Sequence, residues 1–329
     1  MMKRFSTMAI VAMALSSVLC AAGNKLVIDE WTVPWDATRP RDPAVDREGQ
    51  VWFVGQTGDY IGVLDPRSGT FRRHELEKGS GPHNLIVGKD GAIWFAGNRK
   101  GYVGRLDPKS GAIRKFEMPN ATVRDPHTLV LDASGKVWFS AQVSNHVGRL
   151  DPLSGSIDLL EVPTPSSRPY GIVVDAKQRV WFNEFGTNKI GWVDPKTLQI
   201  REVLLPQKGS RSRRIAIAAD GNVWYVDYAL GRLGRLEPES GSIREWQTPG
   251  GAGSLPYAMA VDDRNRVWFV ETGPQPNQLV GFDASRETFL ESTPIPSGGS
   301  TVRHMIFHPP TRELWFGTDK NTIGRAKVP

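Results

Sequence analysis

A tryptophan preceded by a β-branched or aliphatic residue recurs along almost the whole chain at nearly constant spacing. Successive copies lie 42 to 47 residues apart, and the seven copies are Trp52, Trp94, Trp138, Trp181, Trp224, Trp268 and Trp315. A period of about 40 to 50 residues with strand-like content is typical of propeller blades, whereas helical repeats would show a helical periodicity that this sequence lacks. The repeat therefore predicts seven blades, with each tryptophan packed between neighbouring blades.

The second repeat shows how one blade is built. It reads as four short strands, HNLIVG, IWFAG, YVGRLDP and IRKFEMP, with turns such as KDGA and KSG between them. Gly91, Gly135 and Gly221 follow Asp or Ser in the first turn, where a tight hairpin requires positive φ. The position before the third strand holds only residue types that tolerate the left-handed conformation, namely Asp59, Gly101, Asn145, Asn188, Gly231, Asn277 and Asn321.

The two ends of the chain complement each other. The last repeat stops at IGRAKVP without a fourth strand, and residues 28–34, IDEWTVP, closely match IREWQTP at residues 243–249, a fourth strand of blade five. We therefore expect the N-terminal strand to complete the last blade, which removes the sheet edge that an open ring would expose. The predicted fold is an all-β, seven-bladed propeller of four-stranded blades, formed by residues 23–329 as one domain.

The first 22 residues have the layout of a secretory signal peptide. Two basic residues precede an apolar stretch at about residues 8–19, and small residues follow. The stretch is shorter than the roughly 20 residues that span a bilayer, so we expect no membrane span and a periplasmic or secreted protein. Cleavage after Ala22 would remove Cys20, the only cysteine. A lipid anchor on Cys20 is the competing interpretation, which the bulky Leu19 disfavours.

Charge and motifs narrow the function classes. The formal net charge of +6 includes Lys3 and Arg4 of the leader, so the remaining excess gives no reason to expect nucleic acid binding. The sequence holds no G-x-S-x-G elbow, phosphate loop, C-x-x-C-H or H-E-x-x-H motif, which disfavours serine hydrolysis, nucleotide chemistry and haem redox work. We expect a monomer that binds a small molecule.

One position in each blade is polar throughout. Because neighbouring strands are antiparallel, the start of the innermost strand and the end of the second strand lie on the same face of the ring. The residue eleven positions before each tryptophan marks the first of these places, and the seven ring residues are Arg41, His83, His127, Tyr170, Arg213, Tyr257 and His304. They predict a polar central pocket in which they bind a substrate. The alternative is a hydrated channel mouth.

The residue three positions after each tryptophan is acidic in three consecutive blades, as Glu184, Asp227 and Glu271. Closely placed carboxylates bind a hard cation such as Mg²⁺ or Ca²⁺, or raise one another's pKa, so these residues are the candidate metal ligands. Solvated hairpin ends are the alternative. Arg213 could also pair with Asp227 instead of binding a ligand.

The motifs Pro82-His83, Pro126-His127, RPYGI at residues 168–172 and WFNEFGTNKIG at residues 181–191 resemble the blades of the virginiamycin B (streptogramin) lyases. The resemblance covers nearly the whole chain after the leader. It implies a seven-bladed propeller that opens the streptogramin B ring by a magnesium-assisted elimination, with a histidine base and a substrate-binding histidine on the last two blades.

The resemblance carries over unevenly to individual residues. The base histidine of the family falls on His304, which is the candidate catalytic residue. Tyr257 stands where the family has its second histidine, Arg41 stands where it has a tyrosine, and the two magnesium carboxylates fall on Val302 and Thr318. Since Mg²⁺ needs anionic oxygen ligands, the reaction of the family requires a relocated metal site in this chain.

Three functions are compatible with these patterns. The first is a propeller related to the lyases that binds a small polar or anionic ligand and uses metal-assisted elimination of a carbon–oxygen bond. The second is a propeller without catalysis that serves as a platform for a protein partner. The third is a lactonase-like hydrolase with a divalent cation on Glu184, Asp227 and Glu271.

Overall fold

The computed structural model describes residues 25–329, so the predicted leader at residues 1–22 lies outside the described part. The strands form seven antiparallel sheets, and the inner strands contact one another in cyclic order around a central axis. The space enclosed by the inner strands is called the central channel below. The predicted all-β propeller of seven blades is confirmed.

Each blade is numbered from the inner strand outward. Blade one holds β2 (Pro40–Val45), β3 (Val51–Gly55), β4 (Tyr60–Asp65) and β5 (Thr70–Glu75). Blade two holds β6 (Leu85–Val87), β7 (Ile93–Gly97), β8 (Tyr102–Leu106) and β9 (Ile113–Glu117). Blade three holds β10 (Pro126–Leu131), β11 (Val137–Ala141), β12 (His146–Leu150) and β13 (Ile157–Glu161). Blade four holds β14 (Pro169–Val174), β15 (Val180–Glu184), β16 (Lys189–Val193) and β17 (Ile200–Leu204).

The remaining blades follow the same plan with small departures. Blade five holds β18 (Ser212–Ile217), β19 (Val223–Asp227), β20 (Arg232–Leu236) and β21 (Ile243–Gln247), followed by a 3-10 turn at Gly251–Gly253. Blade six holds β22 (Pro256–Val261), β23 (Arg266–Glu271) and β24 (Gln278–Asp283), and its outer strand is split into β25 (Thr288–Phe289) and β26 (Thr293–Pro294). Blade seven holds β27 (Val302–His308), β28 (Glu313–Thr318) and β29 (Thr322–Lys327).

The N-terminal strand β1 (Ile28–Thr32) closes the ring. It pairs antiparallel with β29, with Ile28 opposite Ala326 and Thr32 opposite Thr322. Trp31 also stacks on Trp315 with ring centroids 5.6 Å apart. The expected closure is therefore confirmed, and blade seven combines both ends of the described chain.

The seven repeated tryptophans belong to the core, as predicted. Each is at most 4% exposed, and Trp52 of blade one packs on Leu85 and Ile93 of blade two. Four of them also donate their indole N–H to an aspartate six positions earlier, as in Trp181 to Asp175 at 2.9 Å. The repeated tryptophan thus packs neighbouring blades together, and in these four blades it also holds the turn before its own strand.

The position before each third strand is left-handed in five blades but not in all seven. Asp59, Gly101, Asn145, Gly231 and Asn321 have positive φ, whereas Asn188 and Asn277 do not. Asparagine has a second use here, because the side chain of Asn277 donates to the carbonyl oxygens of Thr272 and Pro274. The residue types that tolerate the left-handed conformation thus adopt it in five blades, and blades four and six do not use it.

Membrane insertion through a helix finds no support in residues 25–329, where no helix has the length and hydropathy that a bilayer crossing requires.

Candidate functional site

The seven ring residues lie at equivalent positions around the central channel, and most of them are buried there. Five of them are at most 7% exposed: Arg41, His83, His127, Tyr170 and Tyr257. Long arginine and tyrosine side chains extend from the inner strands toward the axis and pack on one another there. Five ring side chains are therefore packed together in a narrow polar channel, Arg213 and His304 keep partial exposure, and the binding of a substrate by this ring stays a prediction.

Contacts between the ring residues run from blade to blade. The rings of His83 and His127 have centroids 3.5 Å apart, and those of His127 and Tyr170 are 4.3 Å apart. The hydroxyl groups of Tyr170 and Tyr257 form a hydrogen bond between blades four and six. Blades two, three, four and six are thus joined by one chain of stacked and hydrogen-bonded rings.

A β-bulge brings a second layer of side chains into the channel. The register of the inner strand shifts between Arg41 and Ala44 in blade one, and between Ser212 and Arg214 in blade five. A bulge interrupts the alternation of side chains, so the residue after a ring residue also faces inward. Asp42 and Arg214 enter the channel in this way, and they are 0% and 2% exposed.

Asp42 is the centre of this second layer. Its Oδ1 accepts from Nε of Arg41 at 2.9 Å, and its Oδ2 accepts from Nη2 of Arg214 at 3.3 Å. The side-chain amide of Asn84 donates to the same Oδ2 at 3.0 Å. Asp42 itself has a positive φ of 50°, a conformation that a non-glycine residue adopts at a cost. The strained backbone conformation of Asp42 therefore places its carboxylate between two arginine side chains.

Arg214 ties four blades together across the channel. From blade five it donates Nε to the carbonyl oxygen of Arg303 in blade seven at 2.9 Å, and Nη1 to Thr128 in blade three at 3.3 Å. Its third contact is Asp42 in blade one. Sequence reasoning missed Asp42 and Thr128. A usable signal existed, since the position ten before the tryptophan holds a polar residue in four blades, namely Asp42, Asn84, Thr128 and Arg214.

The buried charges of the channel shift the pKa values of their neighbours. Burial alone would raise the pKa of Asp42, but Arg41, His304 and Arg214 lower it below its ordinary range. Burial alone would lower the pKa of Arg41, but Asp42, Tyr170 and Tyr257 raise it. Asp42 is therefore ionised, and Arg41 keeps its charge.

The three channel histidines are held neutral. Burial and then Arg214 lower the pKa of His304 to about 3, although Asp42 opposes the shift. Burial and Arg41 lower the pKa of His83 and of His127 well below the ordinary value. A histidine base works best with a pKa close to the working pH, so His304 is available to accept a proton but is a weak base here.

Arg213 lies among aromatic rings rather than beside a carboxylate. Its guanidinium carbon is 3.9 Å from the ring centroid of Tyr257, 4.5 Å from Tyr228, 4.6 Å from Phe185 and 5.2 Å from Tyr170. These five residues are called the Arg213 cluster. Phe185 and Tyr228 were missed from the sequence, although both stand four positions after a repeated tryptophan.

The pairing of Arg213 with Asp227 that the sequence left open does not form. Oδ1 of Asp227 accepts instead from the backbone N–H groups of Arg211, Ala229 and Leu230, which belong to its own blade. Among residues 25–329, no carboxylate forms an ion pair with Arg213, and its buried Nε has no hydrogen-bond partner.

The three candidate metal ligands are not brought together. Glu184 accepts from the hydroxyl of Thr187 at 2.9 Å, and Glu271 accepts from the backbone N–H of Gly250 at 2.8 Å. Asp227 caps its own turn, as described above. Within the described residues 25–329, no group of three His, Cys, Asp or Glu side chains is arranged to hold a metal ion. A joint metal site on Glu184, Asp227 and Glu271 stays an untested prediction without geometric support.

Magnesium does not fit the place that the resemblance assigns to it. Val302 and Thr318 lie opposite each other in β27 and β28, and both are at most 1% exposed. The Thr318 hydroxyl is already hydrogen-bonded to that of Thr322 at 2.7 Å. Neither side chain offers the anionic oxygen that this hard cation requires, so these two positions do not form the magnesium site that the resemblance implies.

Comparison with solved structures finds the same fold in virginiamycin B lyase from Staphylococcus aureus. Its selenomethionine form matches with a TM-score of 0.84 and 24% identity, over 93% of this chain and 100% of that one. A catalytically inactive variant of the same enzyme with quinupristin matches equally well, at 25% identity over 93% and 100% of the two chains.

A more distant structure shares the propeller alone. The extracellular domain of a putative one-component system from B. thetaiotaomicron matches with a TM-score of 0.72 and 15% identity, over 92% of this chain and 42% of that one. A comparison with curated protein sequences finds no match. The family model of the virginiamycin B lyases, however, matches residues 26–328, which is nearly the whole described propeller. Because this family model spans all seven blades, the chain belongs to the virginiamycin B lyase family.

Proposed function

We propose that this member of the virginiamycin B lyase family is a ligand-binding propeller that captures a small anion with an aromatic or apolar body at the Arg213 cluster. The observation that carries the proposal is the setting of Arg213. Its guanidinium is half-buried among four rings and has no carboxylate partner within residues 25–329. A guanidinium fixed in this way presents its N–H groups for a carboxylate or phosphate oxygen.

The flanking rings argue for the apolar part of the ligand. Phe185 and Tyr228 are half-buried, and they face the guanidinium from blade four and from blade five itself. Cation–π contacts hold the arginine in place without neutralising its charge, so an incoming anion meets a preorganised cation. The rings also offer apolar area to a flat ligand body. An aromatic carboxylate combines both features.

The test compares matched anionic and neutral probes. Benzoate and 4-hydroxyphenylacetate are titrated into the protein by calorimetry, with the corresponding amides as neutral controls. We expect the carboxylates to bind and the amides to bind at least tenfold more weakly. Arg213→Gln should abolish this preference for the carboxylates. Arg211→Gln removes the same charge outside the Arg213 cluster, so this control variant should retain the preference. Equal binding of acids and amides by the unmodified protein would refute the proposal.

A second candidate function is the elimination reaction of the family, and the presence of a half-buried neutral His304 favours it. Val302 and Thr318 argue against its magnesium-assisted form. Quinupristin, incubated with and without Mg²⁺ and followed by chromatography, tests this candidate. Ring opening that His304→Ala abolishes would establish it. If no opened product forms at any metal concentration, binding at the Arg213 cluster remains as the proposed function.

We also propose that the protein acts outside the cytoplasm. Residues 1–22 support this by their layout as a signal peptide. Cell fractionation of a tagged chain checks the location, and mass spectrometry of the exported form checks cleavage after Ala22. Export that continues after removal of residues 1–22 would contradict the assignment.

A further inference from the structure

Three neighbouring blades each point an unpartnered nitrogen into the central channel. Nδ1 of His304 in blade seven, Nη2 of Arg41 in blade one and Nδ1 of His83 in blade two are all buried without a hydrogen-bond partner among the described residues. The three residues hold the same ring position in consecutive blades. Buried polar atoms are almost always hydrogen-bonded, so a group of three on one side of a channel indicates a missing acceptor.

The central channel also carries an excess of positive charge. Arg41 and Arg214 share one carboxylate, that of Asp42, and both ion pairs are at most 5% exposed. The three histidines are neutral, so they offer N–H donors but add no charge. Among the described residues, the trio of Arg41, Arg214 and Asp42 therefore has one positive charge without a counter-charge, and an uncompensated buried charge is strongly destabilising.

We propose that the central channel binds a compact anion, a halide or a small oxyanion such as phosphate, between Arg41, His83 and His304. Nη2 of Arg41 supplies a charged donor, and the two Nδ1 atoms supply neutral donors when they carry the imidazole proton. The anion neutralises the buried excess of one positive charge. Charge-assisted hydrogen bonds of this kind are the strong ones, and the low dielectric of a buried site strengthens them further.

The site differs from the Arg213 cluster in place and in ligand. Arg213 stands in blade five, whereas the anion site spans blades seven, one and two. Arg41 and His83 are at most 7% exposed, so a ligand that contacts both must be compact and cannot carry an aromatic body. The inference goes beyond the proposed function, and it reverses the sign of the ion that the family resemblance implies.

Thermal unfolding at constant ionic strength tests the site. The protein is kept in sodium HEPES, whose sulfonate is too bulky for the channel, and this salt is replaced stepwise by sodium chloride or sodium phosphate. An anion that binds a site present only in the folded protein gives a saturating rise in Tm of about 2–5 °C. Exclusion of salt from the protein surface gives a rise that continues without saturation.

Variants separate the two contributions. Arg41→Gln leaves Asp42 and Arg214 as a balanced pair, so the variant should fold and should lose the saturating part of the rise while it keeps the linear part. Arg244→Gln removes one exposed charge on β21 and should behave like the unmodified protein. Arg213→Gln should also keep the saturating rise, which distinguishes this site from the Arg213 cluster.

A second variant decides the matter if Arg41→Gln does not fold. His83→Leu removes one donor without a change of charge. It should weaken anion binding and so raise the half-saturating anion concentration at least tenfold. Crystals grown with sodium bromide should show an anomalous peak within hydrogen-bond distance of Nη2 of Arg41. A rise that never saturates in the unmodified protein, or that saturates equally in both variants, would overturn the proposal.

Discussion

Arg214 of blade five donates its Nη2 to Oδ2 of Asp42 in blade one, 3.3 Å away across the central channel. The other oxygen of Asp42 accepts from Arg41, so one carboxylate serves two buried guanidinium groups. The three residues therefore contribute unequally to stability. Loss of an arginine leaves a neutral pair, whereas loss of the carboxylate leaves two buried cations.

We expect Asp42→Asn to destabilise the protein by about 3–5 kcal/mol, the cost of breaking a buried ion pair by removing one partner. Arg41→Gln should cost only about 1–2 kcal/mol, because Asp42 keeps Arg214 and mainly a hydrogen bond is lost. Asp158→Asn, which removes an exposed partner of Arg149, is the matched control and should change stability by less than about 1 kcal/mol. Urea unfolding measures all three. Equal losses of unfolding free energy in Asp42→Asn and Arg41→Gln would show that the balance of buried charges does not determine the stability of the channel.

The hydrogen-bonded phenols in the channel should titrate differently from ordinary tyrosines. Tyr170 faces Tyr257, His127 and the guanidinium groups of Arg213, Arg214 and Arg41. Burial alone would raise the pKa of Tyr170, but the three arginines lower it below its ordinary value. We expect one tyrosine to ionise below the usual pH of about 10, seen in the tyrosinate absorbance.

Two variants check this assignment. Tyr170→Phe should remove the early ionisation step. Tyr102→Phe should leave the step in place, since burial raises the pKa of Tyr102. An early step that survives in Tyr170→Phe would assign it to another phenol.

The repeated tryptophan carried enough information to predict the fold. Its period gave the number of blades, and the match between residues 28–34 and 243–249 gave the closing strand. Both predictions rest on side chains that repeat because they pack in the same way in every blade. Trp52 and its six counterparts are buried in equivalent positions, so one pattern describes them all.

The site was harder to predict because it depends on departures from the repeat. Strand alternation places Asp42 and Arg214 on the face opposite to Arg41 and Arg213, and only the bulge in each inner strand turns them into the channel. The spacing of the acidic residues, in contrast, suggested a shared site that the geometry does not support. Glu184, Asp227 and Glu271 share a sequence position, but each is held by hydrogen bonds to a nearby turn, which sequence spacing does not reveal.

Glu184 should make the stability of the protein depend on pH. Burial, and then the nearby Glu202, raise the pKa of Glu184 to about 7. Because this value lies above the unfolded pKa, the favourable contribution is complete below the unfolded pKa and is lost as the pH rises through about 7. The unmodified protein should therefore lose stability, relative to Glu184→Gln, between acidic and mildly alkaline pH.

The size of this loss follows from the shift. We expect the stability difference between the two proteins to change by about 1–3 kcal/mol in favour of Glu184→Gln from pH ~5 to pH ~8. Urea unfolding at the two pH values measures it. Glu161→Gln removes an exposed carboxylate in blade three and controls for net charge. A difference that is constant with pH would contradict the buried setting of Glu184.

The turn before the second strand of blade five lacks the aspartate that binds the tryptophan indole in four other blades. Ala218 stands at this position, and Nε1 of Trp224 is buried without a hydrogen-bond partner in the described propeller. In blade four, the equivalent Asp175 accepts from Nε1 of Trp181 at 2.9 Å and from the backbone N–H of Arg179 at 2.9 Å. An aspartate at position 218 should accept from the corresponding groups of blade five.

We expect Ala218→Asp to stabilise the protein by about 0.5–1.5 kcal/mol, because it satisfies a buried indole N–H. The reverse change, Asp175→Ala, should destabilise by about 1–3 kcal/mol, since it leaves a buried donor unpaired. A double-mutant cycle with Trp224→Phe isolates the new contact. The gain from Ala218→Asp should vanish in the Trp224→Phe background, because phenylalanine offers no N–H for the carboxylate. A gain of equal size in both backgrounds would show that the aspartate acts on the turn and not on the tryptophan.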